Sequence, residues 1–564
     1  MNKKIIFLLI VSITILQACK FRSLLKYYHP DKTTHLPNFN KWDNFVGSNT
    51  NPIRACYDVT CYDWSVAVYP ESEKIRSTMK IYFKMEFDQD TILLDFQSNF
   101  KIDEIKSASS IKKFKRKKNS LFIIFEKELH KGEKGMVEIT YHGTPVKLIG
   151  NTTLTWQKDS LNFPWICTST EGLGPHQLIP CKNLLYDESD SCFIRVNVPK
   201  GLMAVANGKL DSITESNNRI TYNWSVKNPI NIYNISFNVG KYVKLEKAYK
   251  DINNVDRKIE IYALDYNKEK ADKYYDQAPI IMAALEKLYG IYPWWSDGCK
   301  FIESCLKDGD CMEHQSAISM AENYRLDFKK FSITLVHELA HEWWGNNITG
   351  FDYADIWLHE GFATYSEALF IEENSGKNEM DFILYYKLRN VVNKRPILKT
   401  RNVAYKPWIQ SSDADIYDKA GWFIHTLRIA INDDTLFFDI LKTAQQKFSK
   451  SNITTDQFLA FINEKTSRDF TPYFDIYLKN SVPPILEYRI SNVDTDSTIL
   501  EYKWRDNLPK GGEIPLIMMS NNIYYTLKPT TEYQVIKFSK NDKYYFEMTK
   551  SGYYYLKDIT ERKK

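Results

Sequence analysis

The chain has 564 residues, of which 43% are hydrophobic, 14% are aromatic and 26% are charged. This length exceeds what one hydrophobic core supports, so we expect two to four domains. The formal net charge of +5, from 75 basic and 70 acidic side chains, is nearly balanced and argues against a nucleic-acid-binding protein.

The strongest basic run, residues 112–118, lies between strand-like segments. We interpret it as a solvated hairpin tip, with a surface for anionic membranes as the alternative.

Residues 1–19 are typical of an export signal rather than of a folded domain. Two lysines precede an apolar stretch, residues 5–16, that is too short to span a bilayer as a stable helix. The stretch ends in Leu16-Gln17-Ala18-Cys19, which resembles a bacterial lipobox, in which the cysteine is lipidated and becomes the first mature residue. We therefore expect an exported bacterial lipoprotein, anchored to a membrane through Cys19 at the periplasmic side or the cell surface. An ordinary signal peptide with an incidental cysteine is the alternative.

The residue pattern changes along the rest of the chain and predicts a multidomain α+β protein. Residues 20–45 are polar without periodicity and indicate a tether. Residues 46–247 show short strands and turns, which predicts a β-sandwich-like domain of two packed sheets. Residues 248–482 have mainly helical periodicity, and residues 483–564 return to alternating strands of a small β-domain. The predicted helices are 269–289, 328–348, 355–374, 380–393, 420–432, 435–449 and 455–466.

Eight cysteines follow Cys19, an even number that favours disulfides in an exported chain. The pair Cys56–Cys61 is the first candidate because its loop is short and isolated. The connectivity of the others cannot be deduced from their spacing, and free buried thiols are the alternative. The other six are Cys167, Cys181, Cys192, Cys299, Cys305 and Cys311.

The helical segment 328–348 contains the pattern His-Glu-x-x-His at residues 337–341. Two histidines four apart lie one turn apart on the same face of a helix, so His337 and His341 can reach one metal ion. Glu338 stands where a general base for a metal-activated water is expected. The pattern is short and has a real false-positive risk when it stands alone.

The next predicted helix, 355–374, adds acidic residues to this pattern. Glu360 completes two histidines and one glutamate, a ligand set typical of catalytic zinc with one position left open for water. Glu367 lies two turns further on the same face. It could orient a ligand histidine, or it could be a solvated acid on the helix surface.

Together these residues resemble the zinc aminopeptidases of the aminopeptidase N and leukotriene hydrolase family, the gluzincins. The match rests on the His-Glu-x-x-His pattern, eighteen intervening residues, and Glu360 within Trp-Leu-His-Glu-Gly-Phe-Ala. The family usually has asparagine where this chain has His359. Further downstream, Tyr417-Asp418-Lys419-Ala420-Gly421 resembles the family's Y-x-K-G segment, which carries the catalytic tyrosine.

A further match lies upstream, at residues 309–315, where the family carries a G-x-M-E-N strand. Met312 and Glu313 agree with that motif, whereas Asp310 and Cys311 replace its small residues and His314 replaces its asparagine. A weaker match is Pro180-Cys181, with Glu171 nine residues before the proline. The resemblance covers residues from about 50 to 480 and implies a mostly helical, thermolysin-like catalytic domain at 248–482.

The resemblance also implies a role for each matched residue. One Zn²⁺ would be held by His337, His341 and Glu360, with Glu338 accepting a proton from the attacking water. Tyr417 would donate a hydrogen bond to the oxyanion of the transition state.

The substrate end of the site is implied by the same resemblance. Glu313, together with Glu171, would bind the cationic amine of the substrate, since a buried charge must be paired. The alternative for Glu171 is a loop acid before a turn. Met312 would line the pocket for the first side chain.

We therefore expect a zinc-dependent aminopeptidase that acts on peptides with a free N-terminus. It is expected to be a monomer. The alternatives are a zinc endopeptidase, an epoxide-hydrolase-like member of the family, or a non-catalytic surface binding protein. The intact set of metal-binding and catalytic residues argues against the last of these.

Overall fold

The structure, a computed structural model, describes residues 52–146, 153–171, 174–398, 414–492, 496–506, 508–539 and 542–560. The predicted export signal, the lipidation site Cys19 and the tether at residues 20–45 lie outside the described residues. Within the described ranges, no helix is both long enough and apolar enough to cross a membrane.

The first part of the described chain is built from β-strands, as its alternating pattern predicts. In the second strand, Ile75, Met79 and Ile81 are buried, whereas Lys74 and Arg76 are exposed. This alternation places one face of each strand in a shared hydrophobic core. A short helix, α1 (Pro52–Ala55), precedes the strands β1 (Tyr57–Tyr69), β2 (Lys74–Met85), β3 (Gln89–Asp95), β4 (Lys101–Ser107), β5 (Ile111–Lys117), β6 (Ser120–Leu129), β7 (Lys134–Gly143), β8 (Leu154–Lys158), β9 (Pro164–Thr168), β10 (Ser191–Pro199), β11 (Met203–Ala206), β12 (Lys209–Ser216), β13 (Arg219–Val226) and β14 (Phe237–Gly240).

In the described chain these strands form three sheets rather than the two that were predicted. Their strand orders are β12-β13-β10-β1-β2-β7-β4, β11-β14-β9-β8 and β3-β6-β5. The predicted basic hairpin tip at residues 112–118 lies mostly along β5, an edge strand paired with β6, and the turn follows at Lys118. Charged side chains on an edge strand discourage pairing with another chain, which explains why a basic run is stable in this position.

The next region starts with a mixed sheet of order β15-β16-β17-β18. The strands are β15 (Tyr242–Lys250), β16 (Asp256–Leu264), β17 (Cys299–Glu303) and β18 (Ile318–Met320). The predicted boundary between residues 247 and 248 falls inside β15, so sheet membership changes before Tyr242. Helices follow and surround a two-stranded pair, and the elements are α2 (Lys268–Tyr274), α3 (Ala278–Tyr289), α4 (Ile333–Ala340), β19 (Ile348–Gly350), α5 (Trp357–Ser375), α6 (Lys377–Lys387), α7 (Asp418–Ile431), α8 (Asp434–Lys447), β20 (Ser451–Ile453), α9 (Thr455–Thr466) and α10 (Thr471–Phe474).

Helix α4 is much shorter than the predicted helix 328–348. Phe328 and Phe331 pair across a tight turn, and Lys329 within it has a φ of 53°, which a helix cannot include. The helix instead starts after Ser332, whose hydroxyl accepts a hydrogen bond from the Leu335 backbone amide at 3.0 Å. This N-cap satisfies an amide that has no partner within the helix.

The last region is a set of short strands that pack onto the helices. The elements are β21 (Ile485–Asn492), β22 (Ser497–Trp504), β23 (Leu516–Ser520), β24 (Ile523–Leu527), β25 (Gln534–Ser539), β26 (Tyr544–Phe546), α11 (Met548–Ser551) and β27 (Tyr555–Asp558). Their buried residues belong to the same hydrophobic cluster as those of the helices. The Tyr477 hydroxyl donates to the Tyr553 carbonyl at 2.6 Å, which ties the two regions together.

The eight described cysteines are all unpaired in the structure, so the predicted Cys56–Cys61 disulfide is absent. Residues 57–61 run extended along β1, which carries Cys61 about 13 Å from Tyr57, the neighbour of Cys56, at about 3.3 Å per residue. A disulfide requires Cα atoms within about 7 Å of each other. The short loop that suggested this pair is therefore a strand.

Candidate active site

Helices α4 and α5 bring three metal-binding side chains together in the interior. The ligand atoms of His337, His341 and Glu360 all lie within 4.8 Å of one another, and the three residues are buried. The Glu360 carboxylate oxygen Oε2 lies 3.3 Å from His337 Nε2 and 3.5 Å from His341 Nε2. Ligands at zinc bond lengths of 2.0–2.2 Å in a tetrahedron are about 3.3–3.6 Å apart. The three residues therefore fit a zinc ion without rearrangement.

The other ring nitrogen of each histidine is held by a partner. His337 Nδ1 donates to Glu367 Oε1 at 2.9 Å, and His341 Nδ1 donates to the Trp344 carbonyl at 2.9 Å. These bonds leave both Nε2 atoms free to face the metal position. Glu367, for which the sequence left two interpretations open, is buried against the ligand histidine rather than exposed on a helix surface.

A lysine that the sequence analysis did not identify supports Glu367. Lys387 Nζ lies 2.8 Å from Glu367 Oε2 and 3.4 Å from Asp418 Oδ1. Burial opposes the charge of Lys387, but attraction to these two carboxylates outweighs it and raises the pKa of the ammonium group. Lys387 therefore connects Glu367, which contacts His337, to Asp418, which follows Tyr417. It lies on α6, away from every motif, and only the folded chain reveals it.

Tyr417 lies where α7 begins, and its ring centroid is 6.0 Å from that of His337. Close packing between α5 and α7 sets this position. A Cβ atom on Gly361 would lie 2.7 Å from the Ala420 Cβ, and one on Gly421 would lie 3.1 Å from Thr364 Cγ2. Glycine at both positions lets the two helices approach more closely than larger residues would.

Glu338 is buried beside the metal ligands. Burial raises the pKa of its carboxyl group to about 7, against the lowering effect of His337 and His341 and with the repulsion of Glu313 added. A carboxyl group with a pKa near neutrality is suited to accepting and returning a proton. Glu338 is therefore close to the three predicted ligands, and its role as a general base stays a prediction.

Glu313 is fixed by residues from two other parts of the chain. Its Oε1 accepts a hydrogen bond from the Tyr233 hydroxyl at 3.0 Å, and its backbone carbonyl accepts one from Asn346 Nδ2 at 2.9 Å. The same Asn346 amide donates to Glu342 at 3.2 Å. The sequence analysis identified neither Asn346 nor Tyr233. Neither residue lies within a motif that carries chemistry, so no signal in the sequence pointed to them.

Glu171 belongs to the β-domain and lies close enough to Glu313 for their charges to interact. Its Oε1 is buried and has no hydrogen-bond partner within the described residues. Burial raises the pKa of this carboxyl group, and the charges of Glu313 and Glu360 raise it further. A carboxyl group whose charge is disfavoured and whose oxygen has no partner in the described chain, next to a second carboxyl group, forms a site that a cation would stabilise.

The residues that depart from the family motif have structural partners. His314 Nδ1 lies 3.1 Å from the Ser319 hydroxyl, and the Gly350 amide donates to His359 Nε2 at 2.7 Å. Burial lowers the pKa of each imidazole to about 3, so both rings are neutral. They fill positions where the family has asparagine and can hydrogen-bond without adding charge to the cleft.

The remaining residues of this segment are held through the backbone. Met312 is buried and exchanges two backbone hydrogen bonds of 2.9 Å with Ser319. Cys311 is partly buried, and its sulfur accepts a hydrogen bond from the Ala321 amide at 3.4 Å. The segment that carries Glu313 therefore pairs with β18, which fixes its register beside the metal position.

Comparisons with known proteins show similarity to metallopeptidases. Residues 311–477 match the Peptidase family M1 domain. The chain is 25% identical over 228 residues to human Aminopeptidase RNPEPL1, covering 37% of this chain and 31% of that protein. It is 23% identical over 363 residues to Aminopeptidase B of Rattus norvegicus, covering 61% of this chain and 52% of that protein. The chain thus spans between about a third and about a half of the length of these relatives.

A solved structure shares the fold. It is that of a substituted M1 zinc metallopeptidase from Deinococcus radiodurans bound to a Tyr-Ser-Ala substrate. It aligns with a TM-score of 0.65 and 19% identity, covering 79% of this chain and 99% of that chain. The β-rich first region, the helical region and the last strands of this chain follow the architecture of such structures.

Proposed function

We propose that this chain, whose residues 311–477 match the Peptidase family M1 domain, is a zinc-dependent aminopeptidase that removes the first residue of peptides with a free N-terminus. One observation carries this proposal. The metal cluster of His337, His341 and Glu360 lies beside a second acidic site, formed by Glu171 and Glu313, whose charges act on the cluster. A metal site alone suits many hydrolases, whereas an adjoining pair of carboxylates suits a substrate that presents an ammonium group.

The metal site, together with Glu338 and Tyr417, carries out the hydrolysis. Zinc, when bound by the three ligands, supplies a Lewis acid that makes water a nucleophile near neutral pH. Glu338 accepts the proton of the attacking water and passes it to the leaving amine. Tyr417 donates a hydrogen bond to the oxyanion that develops on the scissile carbonyl.

Glu313 and Glu171 set which bond is cleaved. They bind the ammonium group of the substrate, and its burial requires this pairing. Since the amine is then held at a fixed distance from the metal position, only the first peptide bond reaches Glu338. The same pairing excludes the interior of a longer peptide, which has no such charge.

The test is a comparison of one aminoacyl amide with its N-acetylated form. Acetylation removes the positive charge and leaves the scissile bond unchanged. We expect hydrolysis of the free amine and loss of at least about 10²-fold in kcat/KM for the blocked form, the typical effect of leaving buried charges unpaired. Equal hydrolysis of both would contradict the exopeptidase assignment and favour an endopeptidase.

We also propose that the protein is a lipoprotein anchored to a membrane through Cys19. The support is the sequence of residues 1–19 alone, with its lysines, short apolar stretch and lipobox-like end. Expression of a Cys19→Ala variant in a bacterial host tests the anchor. The wild-type protein is expected in the membrane fraction, and the variant is expected to be released on extraction without detergent. Equal partitioning of both would rule the anchor out.

A further inference from the structure

Two buried cysteines from distant parts of the chain meet where the β-domain contacts the mixed sheet β15-β16-β17-β18, which we call the catalytic sheet. Cys167 lies in β9, and Cys305 lies two residues after the end of β17. They are 138 residues apart in sequence, and both side chains are almost fully buried. Their sulfur atoms are 3.1 Å apart.

This distance is short for two sulfur atoms that are not bonded. Carbon atoms pack at about 3.5–4.0 Å, and sulfur is the larger atom. A sulfur–sulfur bond is about 2.0 Å long, so a shift of about 1 Å, shared between two side chains, would form it. The Gln157 side-chain amide, on the strand β8 that pairs with β9, donates to the Cys305 carbonyl at 3.0 Å and so ties these strands to the segment that carries Cys305.

We propose that Cys167 and Cys305 form a disulfide that covalently joins the β-domain to the catalytic sheet. The bond forms by thiol–disulfide exchange with a small-molecule or protein disulfide. The Cys167 thiolate attacks the oxidant and forms a mixed disulfide, and the Cys305 thiolate then displaces the oxidant's second sulfur. The two thiols of the chain lose two electrons and two protons, and the oxidant disulfide gains them and becomes two thiols.

Burial determines when this exchange takes place. Neither sulfur is accessible in the folded protein, so the bond forms during folding, before the two domains close around the pair. For the same reason a reductant reaches the finished bond only after the structure opens. The bond is therefore expected to survive reductant in the native state and to be cleaved in denaturant.

The position of the cross-link gives it a consequence for the proposed amine site. Cys167 lies four residues before Glu171, and Cys305 lies eight residues before Glu313. The bond therefore joins the two segments that carry the carboxylates expected to hold the substrate amine. This part of the inference rests on the proposed aminopeptidase function, whereas the existence of the bond does not.

Peptide mapping of the full-length protein tests the bond directly. The protein is refolded with oxidised and reduced glutathione, denatured without reductant, alkylated and digested. We expect one linked peptide that contains Cys167 and Cys305 and separates on reduction. Recovery of both cysteines as alkylated thiols, or a link from Cys305 to Cys299 or Cys311, would overturn the proposal.

Kinetics with an aminoacyl amide test the consequence. The double variant Cys167→Ala/Cys305→Ala is compared with Cys192→Ala, which also removes a buried thiol of the β-domain but one whose sulfur contacts a backbone carbonyl. We expect KM to rise about tenfold in the double variant with kcat within about twofold, since misplaced binding groups weaken substrate capture. The control is expected to match the wild type.

The outcomes remain distinguishable. Mapping that finds the bond, together with unchanged KM in the double variant, would overturn its role at the amine site. Failure of the wild type to hydrolyse any aminoacyl amide would contradict the proposed function and leave the mapping result valid. If the double variant does not fold, the single variants Cys167→Ala and Cys305→Ala, each of which removes the bond and leaves the other thiol in place, are used instead.

Discussion

The two ends of the cleft differ in how completely their polar atoms are satisfied. At the metal end, both Nδ1 atoms of the ligand histidines have partners at 2.9 Å, and Glu367 is itself held by Lys387. At the amine end, Glu313 has a partner in Tyr233, but Glu171 has a buried oxygen without one in the described chain. The metal end therefore holds its ligands in position before an ion binds. The amine end keeps an unsatisfied hydrogen-bond acceptor, which the ammonium group of the substrate can satisfy.

The largest effect is expected at the metal end from Glu338→Gln. The amide cannot accept the proton of the attacking water, so kcat should fall by about 10³-fold or more. Glu338 is not among the three ligands, so zinc content measured by elemental analysis should stay at about one per chain. Loss of zinc together with activity would show that Glu338 supports the metal site rather than the proton transfer.

Tyr417→Phe is expected to have the next largest effect. Removal of one donor to an oxyanion costs about 10²–10³-fold in kcat. The phenyl ring keeps the packing against His337, so KM and zinc content should change little. A variant whose kcat lies within about threefold of the wild type would contradict this role for Tyr417.

A change at the amine end should give a different kinetic signature. Glu171→Gln keeps the shape but removes one of two charges that pair with the substrate amine, and KM should rise about 10-fold or more, as expected for a lost charged pair. The zinc content should not change. Since Glu171 repels Glu313, the free variant is expected to be no less stable than the wild type in thermal unfolding. A lower kcat with unchanged KM would mean that the two ends are not separable.

The smallest effect is expected from Lys387→Met, which leaves every ligand in place. Without its cation, Glu367 holds His337 less firmly, and zinc affinity should fall about 10-fold, at the lower end of the range for groups behind a metal ligand. Competition with a chelator measures this affinity. Lys387→Arg, which keeps the charge, serves as the control and should retain more of it. Equal affinities in wild type and Lys387→Met would confine the lysine to structural support.

The predictions from the sequence agree best with the structure where a motif or an apolar period follows the local geometry of a helix. Helix α9, predicted at 455–466, has these bounds, and the spacing of the motif on α4 and α5 brings three ligands together. Helix α4 itself was predicted to start too early because the apolar period extends back to residue 331, whereas a turn with positive φ at Lys329 precedes the helix. Periodicity cannot reveal such a turn.

What the sequence could not provide are the contacts between distant segments. Tyr233, Lys387 and the Cys167–Cys305 pair act through neighbours that are 80, 20 and 138 residues away. None carries a motif, and each would be an ordinary residue of its strand or helix in isolation. Spacing identifies the groups that carry out chemistry, because these follow a local geometric rule. The groups that hold them in place follow only from the folded chain.

The glycines between α5 and α7 have a consequence for adjusting the enzyme. Since a methyl group on Gly361 would lie 2.7 Å from the Ala420 Cβ, van der Waals contact limits how closely the two helices can approach at this position. Side-chain volume at this one position thus acts as a spacer between Glu360 on one helix and the tyrosine at the start of the other. The reach of Tyr417 toward its substrate could in this way be graded by single methyl groups, without altering any residue that takes part in the chemistry.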